Sequence, residues 1–413
     1  MRAPVLPRLL LPRLPFFYGW VVLACLCLTG FARQGPAVAT MSVFVVPMTA
    51  EFGWSRASIA GAVSLGGMLA AVVAPPLGPI LDRHGARLML CLAVLGAGLS
   101  CMALSLTPSL VVFYLLFCFA RMIWAGPFEL GLYGALNSWF VARRTRATAI
   151  ATLFQMSGLV AMPLIAQFAM QDGGWRAGWF AIGATVLLVG FLPTWALLVS
   201  RPEDLGLSPD HHAAGRGAVS EPTYSRREAM RTRAFWLLAL FTVLVYPVQA
   251  GVSLHQAPHL IERGLSAIQA ATAISVFSAM SAVASFTAGF LPRRWPIRSV
   301  MVVAAVTMSA GSFLLIGVTT PRSAYAAAGL FGLGIGGIMT SLPVAWADYF
   351  GRASYGAIRG VALTMQVVAQ AVGPLLSGAL RDWTGNYTWS LTVFGGFAAL
   401  AAVVALAARR PVS

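Results

Sequence analysis

Lysine is absent from the 413 residues, so all 28 basic side chains of the Lys/Arg class are arginine. Acids are scarce as well: twelve Asp and Glu leave a formal charge of +16. Charged residues make up 10% of the chain, where a soluble domain carries roughly a quarter. That deficit, with 59% hydrophobic residues and a mean hydropathy of +0.80, excludes an ordinary soluble globule. The five cysteines, Cys25, Cys27, Cys91, Cys101 and Cys118, all fall in apolar stretches of the first half. Their odd number and spacing exclude a disulfide framework and a cysteine metal site. His211-His212 has no Cys or further His nearby and reads as part of a solvated loop. There is no Walker loop, nucleophile elbow or metal triad, so neither an enzyme nor an ATP-driven pump is expected, and no cofactor or metal.

What the chain has instead is apolar runs, each long enough to cross a bilayer core as a helix. They cover 17–47, 55–80, 88–107, 110–140, 147–171, 177–199, 235–260, 266–291, 298–319, 323–347, 360–380 and 388–408. The fold class is therefore all-α integral membrane: twelve transmembrane helices in two six-helix halves, 17–199 and 235–408. An N-terminal segment 1–16, a polar linker 200–234 and a tail 409–413 complete the organisation. Thr223 to Arg233 fits a short amphipathic surface helix. The N-terminal segment is basic and proline-broken and lacks a clean cleavage site, so no removable signal peptide is expected.

The arginines are distributed by loop and form no single basic patch, which argues against nucleic-acid binding. With a cytoplasmic N-terminus, twenty-one of them fall in inside segments, Arg143, Arg144 and Arg359 among these, and five in outside loops. The bias places both termini in the cytoplasm. Arg33 and Arg121 are left over, within the membrane.

One ten-residue loop recurs. Gly78-Pro-Ile-Leu-Asp82-Arg83-His-Gly85-Ala-Arg87 has a damaged copy at Gly289-Phe-Leu-Pro-Arg293-Arg294-Trp-Pro-Ile-Arg298, an offset of 289 − 78 = 211. The same offset pairs Pro47 with Pro258, Glu51 with Glu262, Gln155 with Gln366 and Pro163 with Pro374. A shift of that size marks a duplicated domain-sized unit, far beyond the roughly 20–50 residues of solenoid repeats. In the second copy Arg293 replaces Asp82, so a latch built on that acid is expected in the first half alone.

Twelve spans in two parallel halves, a polar central loop and G-x-x-x-D-R-x-G-x-R between spans two and three resemble the major facilitator superfamily of secondary transporters. Phe17-Tyr-Gly-Trp20, Glu51-Phe-Gly-Trp-Ser-Arg56, Arg201-Pro-Glu-Asp-Leu-Gly206 and His255-x-x-Pro258-x-Leu-x-Glu262-Arg-Gly-Leu-Ser266 resemble its oxalate/formate antiporter and monocarboxylate porter branch. The resemblance implies that spans one, four, seven and ten line a central cavity and that Gly78, Asp82, Arg83, Gly85 and Arg87 act at a cytoplasmic gate. It also implies a multi-pass protein of a bacterial cytoplasmic membrane, active as a monomer. One departure is plain: carboxylate carriers of this branch share a cation in span eight, and 266–291 contains none.

Arg33 lies near the middle of span one, where an arginine costs roughly 2.5–3.5 kcal/mol on insertion scales. Gly30, Arg33, Ala37, Thr40 and Phe44 recur at spacings of three and four, a small-residue face suited to lining a cavity. Arg121 in span four is similar. Arg33 and Arg121 are the expected anchors for an anionic substrate, since a guanidinium can hold a carboxylate bidentately. The alternative for Arg121 is an internal ion pair with Glu129, eight residues on. Glu129 and His255 are candidates for proton coupling. Tyr246, Gln249, Gln366 and Gln370 are polar in otherwise apolar spans and are candidate substrate contacts, with interhelical hydrogen bonding as the alternative. The expectation is a secondary transporter of a small organic anion, a mono- or dicarboxylate, coupled to protons or to exchange. Efflux of an amphipathic compound is the alternative, and a transport-fold sensor a third reading.

Overall fold

A computed structural model of the chain describes residues 5–211, 222–291 and 295–411. No strand occurs among the described residues. Arg2, His212 and Arg216 lie outside them, as do Arg293 and Arg294 of the second loop copy.

A short N-terminal helix α1 (Val5–Leu10) precedes α2 (Gly19–Ala32) and α3 (Val38–Phe52). The sequence reading expected one helix over 17–47, but residues 33–37 form turns. Pro36 supplies no N–H and its ring steers Gly35 away from helical geometry, so the span breaks. Helix α4 (Arg56–Leu104) holds two passes joined at Gly85, whose φ of 78° and ψ of 163° only a residue without Cβ adopts cheaply. Helices α5 (Leu110–Ala125) and α6 (Pro127–Trp139) share one pass broken at Gly126, with Pro127 at the first helical position. Helix α7 (Arg144–Thr185) again holds two passes, joined at Gly174, and continues through a π-helical turn Val186–Phe191 into α8 (Leu192–Leu197).

After the linker come α9 (Arg226–Arg231), α10 (Arg233–Glu262), α11 (Ala267–Phe290) and α12 (Ile297–Ile316). Then follow α13 (Pro321–Phe350), α14 (Tyr355–Thr384) and α15 (Thr388–Ala407). Counting α4 and α7–α8 twice, and α2–α3 and α5–α6 once each, the described residues make twelve apolar passes. Large aliphatic and aromatic side chains such as Leu92, Leu115, Phe168 and Leu375 are exposed on them. A bilayer removes the cost that such exposure would carry in water, and helices satisfy their own backbone there.

The chain forms two compact units: Met1–Glu221 with Arg352–Thr364, and Pro222–Gly351 with Met365–Ser413. In the first unit, α4 meets the start of α14 through small residues. A Cβ on Gly78 would strike the Gly356 carbonyl, one on Gly360 would lie 2.7 Å from the Ala74 carbonyl, and Thr364 donates to the Ala71 carbonyl at 2.8 Å. The linker begins on this unit. Asp210, with a φ of 57° and 5% exposed, accepts from the Val141 N–H at 2.8 Å, the Arg143 N–H at 3.2 Å and the Ala142 N–H. Helix α9 falls within the expected 223–233. Ser225 and Glu228 form a capping box there, which holds the Glu228 carboxyl below its ordinary value.

In the second unit α13 packs between α11 and α12 through its glycine run. A Cβ on Gly332 would strike the Phe277 carbonyl, one on Gly336 the Ser281 carbonyl, and one on Gly334 would lie 2.6 Å from the Ala304 carbonyl. Backbones this close replace the hydrophobic drive that lipid cannot supply. Gly336→Val is expected to lower stability by about 1–3 kcal/mol through overpacking. Gly317, with open space around it, should accept Ala within about 0.5 kcal/mol. Thermal unfolding midpoints of the two variants in detergent check this.

Candidate functional site

The two helix breaks of the first unit build its charged centre. Because α5 stops at Ala125, its last carbonyls lack partners within the helix. The Trp124 carbonyl accepts from Arg33 Nε at 3.0 Å. Because α6 restarts at Pro127, Glu129 falls in its first turn, where the helix dipole favours a carboxylate. Arg33 is placed by the other break, at the end of α2.

Arg33 Nη1 lies 2.8 Å from Glu129 Oε2 and donates to Gln155 Oε1 at 2.9 Å. Arg359 Nη2 donates to Glu129 Oε1 at 3.4 Å. The three charged side chains are 6%, 7% and 1% exposed in the order Arg33, Glu129, Arg359. Burial at that level is tolerated because each charge is paired. Two guanidiniums thus share the Glu129 carboxylate. Gln155 Nε2 donates onward to the Tyr133 hydroxyl at 3.4 Å, and a Cβ on Gly30 would lie 2.8 Å from Gln155 Cγ, so Gly30 makes room for that side chain.

Arg121 stands beside this triad. Its guanidinium carbon is 3.8 Å from the Trp124 ring centroid, and that of Arg33 is 4.5 Å from the same centroid. Gly66 seats the stem of Arg121, since a Cβ there would lie 2.6 Å from Arg121 Cβ. Nε and Nη1 of Arg121 are buried and make no hydrogen bond among the described residues. The ion pair with Glu129 weighed from the sequence is not formed, because Gly126 interrupts the helix between them and Glu129 is engaged by Arg33 and Arg359.

The expected small-residue face of span one is divided by its break. Gly30 and Arg33 belong to the charged centre, whereas Phe44 stacks on Trp179 at 4.0 Å and Thr40 bonds the Gln34 carbonyl. Arg144 and Arg359, tallied from the sequence as loop cations, are 2% and 1% exposed. Arg359 was missed for that reason. Gln155 carried one signal, its shared register with Gln366.

In the loop that joins the two passes of α4, Asp82 accepts from the Gly356 and Ala357 N–H groups, both at 2.8 Å, at the start of α14. Arg201 donates to the Asp82 main-chain carbonyl at 2.5 Å. Arg87 donates through Nη2 to the Trp195 carbonyl at 2.6 Å and through its backbone to Ser200 Oγ at 3.1 Å. A Cβ on Gly85 would strike Ser200, and Arg83 is exposed.

The remaining candidates lie in the second unit. Tyr246 and Gln249 sit on α10, and Gln366 and Gln370 on α14. The two helices touch where a Cβ on Gly373 would strike the Pro247 carbonyl. His255 is held on both sides: Nε2 donates to the Pro374 carbonyl at 3.2 Å, and Nδ1 lies 3.1 Å from the Tyr387 hydroxyl. Among the described residues no three His, Cys, Asp or Glu side chains converge as a metal site.

Comparisons with known proteins agree with this architecture. The profile of the Major Facilitator Superfamily matches residues 22–259 and 251–413. Mouse Monocarboxylate transporter 11 is 28% identical over 397 residues, covering 92% of this chain and 85% of that protein. The Escherichia coli K12 Membrane sensor protein UhpC is 25% identical over 362 residues, 81% of this chain and 80% of its own. Among solved structures, the proton:xylose symporter XylE superposes with a TM-score of 0.74 at 14% identity over 94% of both chains. The human organic anion transporter MFSD10 does so with 0.68 at 15% identity, over 98% of this chain and 100% of that one. The family and its transporter relatives set the protein among membrane transport proteins rather than enzymes. The chain, with its twelve helical passes and its duplicated loop, belongs to the major facilitator superfamily.

Proposed function

We propose that the protein is a secondary active transporter that moves a small organic anion, a mono- or dicarboxylate, by alternating access. Its setting in this reading is a bacterial cytoplasmic membrane, with both termini and the linker on the cytoplasmic side. The observation that carries the reading is Arg121. Nε and Nη1 of its guanidinium are buried and meet no acceptor among the described residues, and it stands beside the triad of Arg33, Glu129 and Arg359. A cation whose N–H groups are buried without acceptors is expensive, and an incoming carboxylate removes that cost. Relatives named monocarboxylate transporters support the substrate class.

Glu129 supplies the coupling. While ionised, it occupies Arg33 and Arg359 as an internal carboxylate. Once protonated, it releases both for a second anion, so a proton and a carboxylate enter together with no net change in buried charge. Exchange of one anion for another uses the same cations with Glu129 left ionised. Tyr246, Gln249, Gln366 and Gln370 are assigned to hydrogen bonding of the substrate, and His255 to a secondary role, since both its nitrogens are engaged. Efflux of an amphipathic compound is the second reading, favoured by the absence of any cation in α11.

Proteoliposome flux separates these. Uptake of labelled lactate, pyruvate or oxalate should be stimulated by an inwardly directed proton gradient, and Arg121→Leu or Arg33→Leu should cut it by at least about tenfold. Glu129→Gln should retain anion exchange and lose the response to the gradient. If no carboxylate is carried and a lipophilic cation is, the efflux reading replaces this one. Failure to move either class would favour a sensor, as UhpC is named.

Asp82 is assigned to the gate. Removing its carboxylate in Asp82→Ala leaves two N–H groups at the start of α14 without acceptors, worth about 1–3 kcal/mol. Maximal flux is expected to change severalfold while the half-saturating anion concentration stays put, measured over a concentration series.

A further inference from the structure

A column of buried polar side chains leads away from the ion triad, and anion binding does not call for it. On α6, Glu129, Tyr133 and Asn137 recur at intervals of four and share one face. On α7, Arg144, Thr148 and Thr152 do the same, and on α14 Tyr355 and Arg359. None of these is more than 7% exposed. The columns are joined: Arg144 Nη2 donates to the Asn137 carbonyl at 3.3 Å, and Gln155 links Arg33 to Tyr133. Arg359 Nη2 donates to Glu129 Oε1, which ties the α14 pair to the α6 column.

Three members carry polar atoms that no group among the described residues satisfies: both ends of the Asn137 amide, the Thr148 hydroxyl and the Tyr355 hydroxyl. Asn137 is 1% exposed, Thr148 0% and Tyr355 3%. Each such group is costly if left dry. In folded proteins groups of this kind are met by ordered water, which needs two to four polar partners, roughly what these side chains offer. At its far end the column reaches a partly open cleft lined by Tyr355, Ser138, Ser200, Arg201, Arg352 and Asp82. Ser138 adjoins Asn137, and Tyr355 belongs to both column and cleft.

We propose that these side chains hold a file of water that carries protons between Glu129 and the cleft at the linker end of the first unit. The proposal rests on Glu129 being the coupling carboxylate. The water next to Glu129 gives a proton to its carboxylate oxygen, and the hydroxide left behind is refilled hop by hop from the cleft, where a proton enters. Glu129 becomes a neutral acid, and the reverse sequence ionises it again. Arg33, Arg144 and Arg359 face the file from α2, α7 and α14, and Arg201, Arg352 and Asp82 face its mouth. That positive surrounding favours a hydroxide-like defect over hydronium and keeps metal cations out. Thr148 and Asn137 are positioning residues for the water. They touch neither the anion nor the proton acceptor.

Infrared difference spectroscopy of the full chain in lipid nanodiscs, after a step to acid pH, reads this directly. Glu129 gives a protonated carboxyl band, identified by its absence from Glu129→Gln. The band should rise at the wild-type rate in Thr148→Ser, which keeps the hydroxyl. It should rise at least about tenfold more slowly in the isosteric Thr148→Val and in Asn137→Leu. Equal rates in all four proteins would overturn the water path and leave Glu129 as the coupling group. No band in the wild type that Glu129→Gln removes would overturn the coupling reading and the path together. The Thr148 pair differs by one hydroxyl, so it decides the matter even if Asn137→Leu fails to fold.

Discussion

A carboxylate held between two guanidiniums sets the terms for the first unit. Lipid offers no solvation for ions, so Arg33, Glu129 and Arg359 can be buried only as a set. Each needs the backbone to be interrupted in a particular place. Pro36 ends the helix that delivers Arg33. Gly126 and Pro127 end another, which both frees the Trp124 carbonyl for Arg33 and turns Glu129 into a first-turn residue. The breaks in the apolar spans and the charges inside them are thus one arrangement: straight helices would leave Arg33 without its carbonyl and Glu129 without its favourable dipole.

Much of this was legible in the sequence where the physics is local. Apolar runs long enough for a bilayer, a duplicated loop and an arginine amid apolar residues announce themselves without knowledge of neighbours. Arg33 stood out because a cation there is costly. Arg359 did not, because it sits near the end of a run and was counted with the loops. Only the meeting of α14 with α6 shows that it is buried against Glu129. Gly126-Pro127 and Pro36 are residue types that kink a helix. Whether a kink becomes a full break depends on which distant group takes the freed carbonyls, and that is set by tertiary contact. Asp82 likewise had the spacing of a helix-end acid, yet the helix it serves lies more than 270 residues downstream.

The two compact units are held by different interactions. Among the described residues, buried Arg, Glu and Asp occur only in the first unit: Arg33, Glu129, Arg144, Asp210 and Arg359. The second unit is held by backbone-to-backbone approach at glycines and by neutral hydrogen bonds, with His255 and His259 tied to carbonyls. The first compact unit holds the buried charges of the described residues, and the second is held by shape.

Trp124 adds an optical consequence. Its indole ring centroid lies 3.8 Å and 4.5 Å from two guanidinium carbons, and its ring N–H makes no hydrogen bond among the described residues. Excitation of an indole moves electron density from the pyrrole toward the benzene ring, so the colour of its emission follows the field along that direction. Few sites in a protein place two fixed cations against one chromophore. Neutralising either guanidinium, by substitution or by rearrangement of the triad, alters that field by a large fraction, and the first unit thereby carries its own reporter of charge beside the triad.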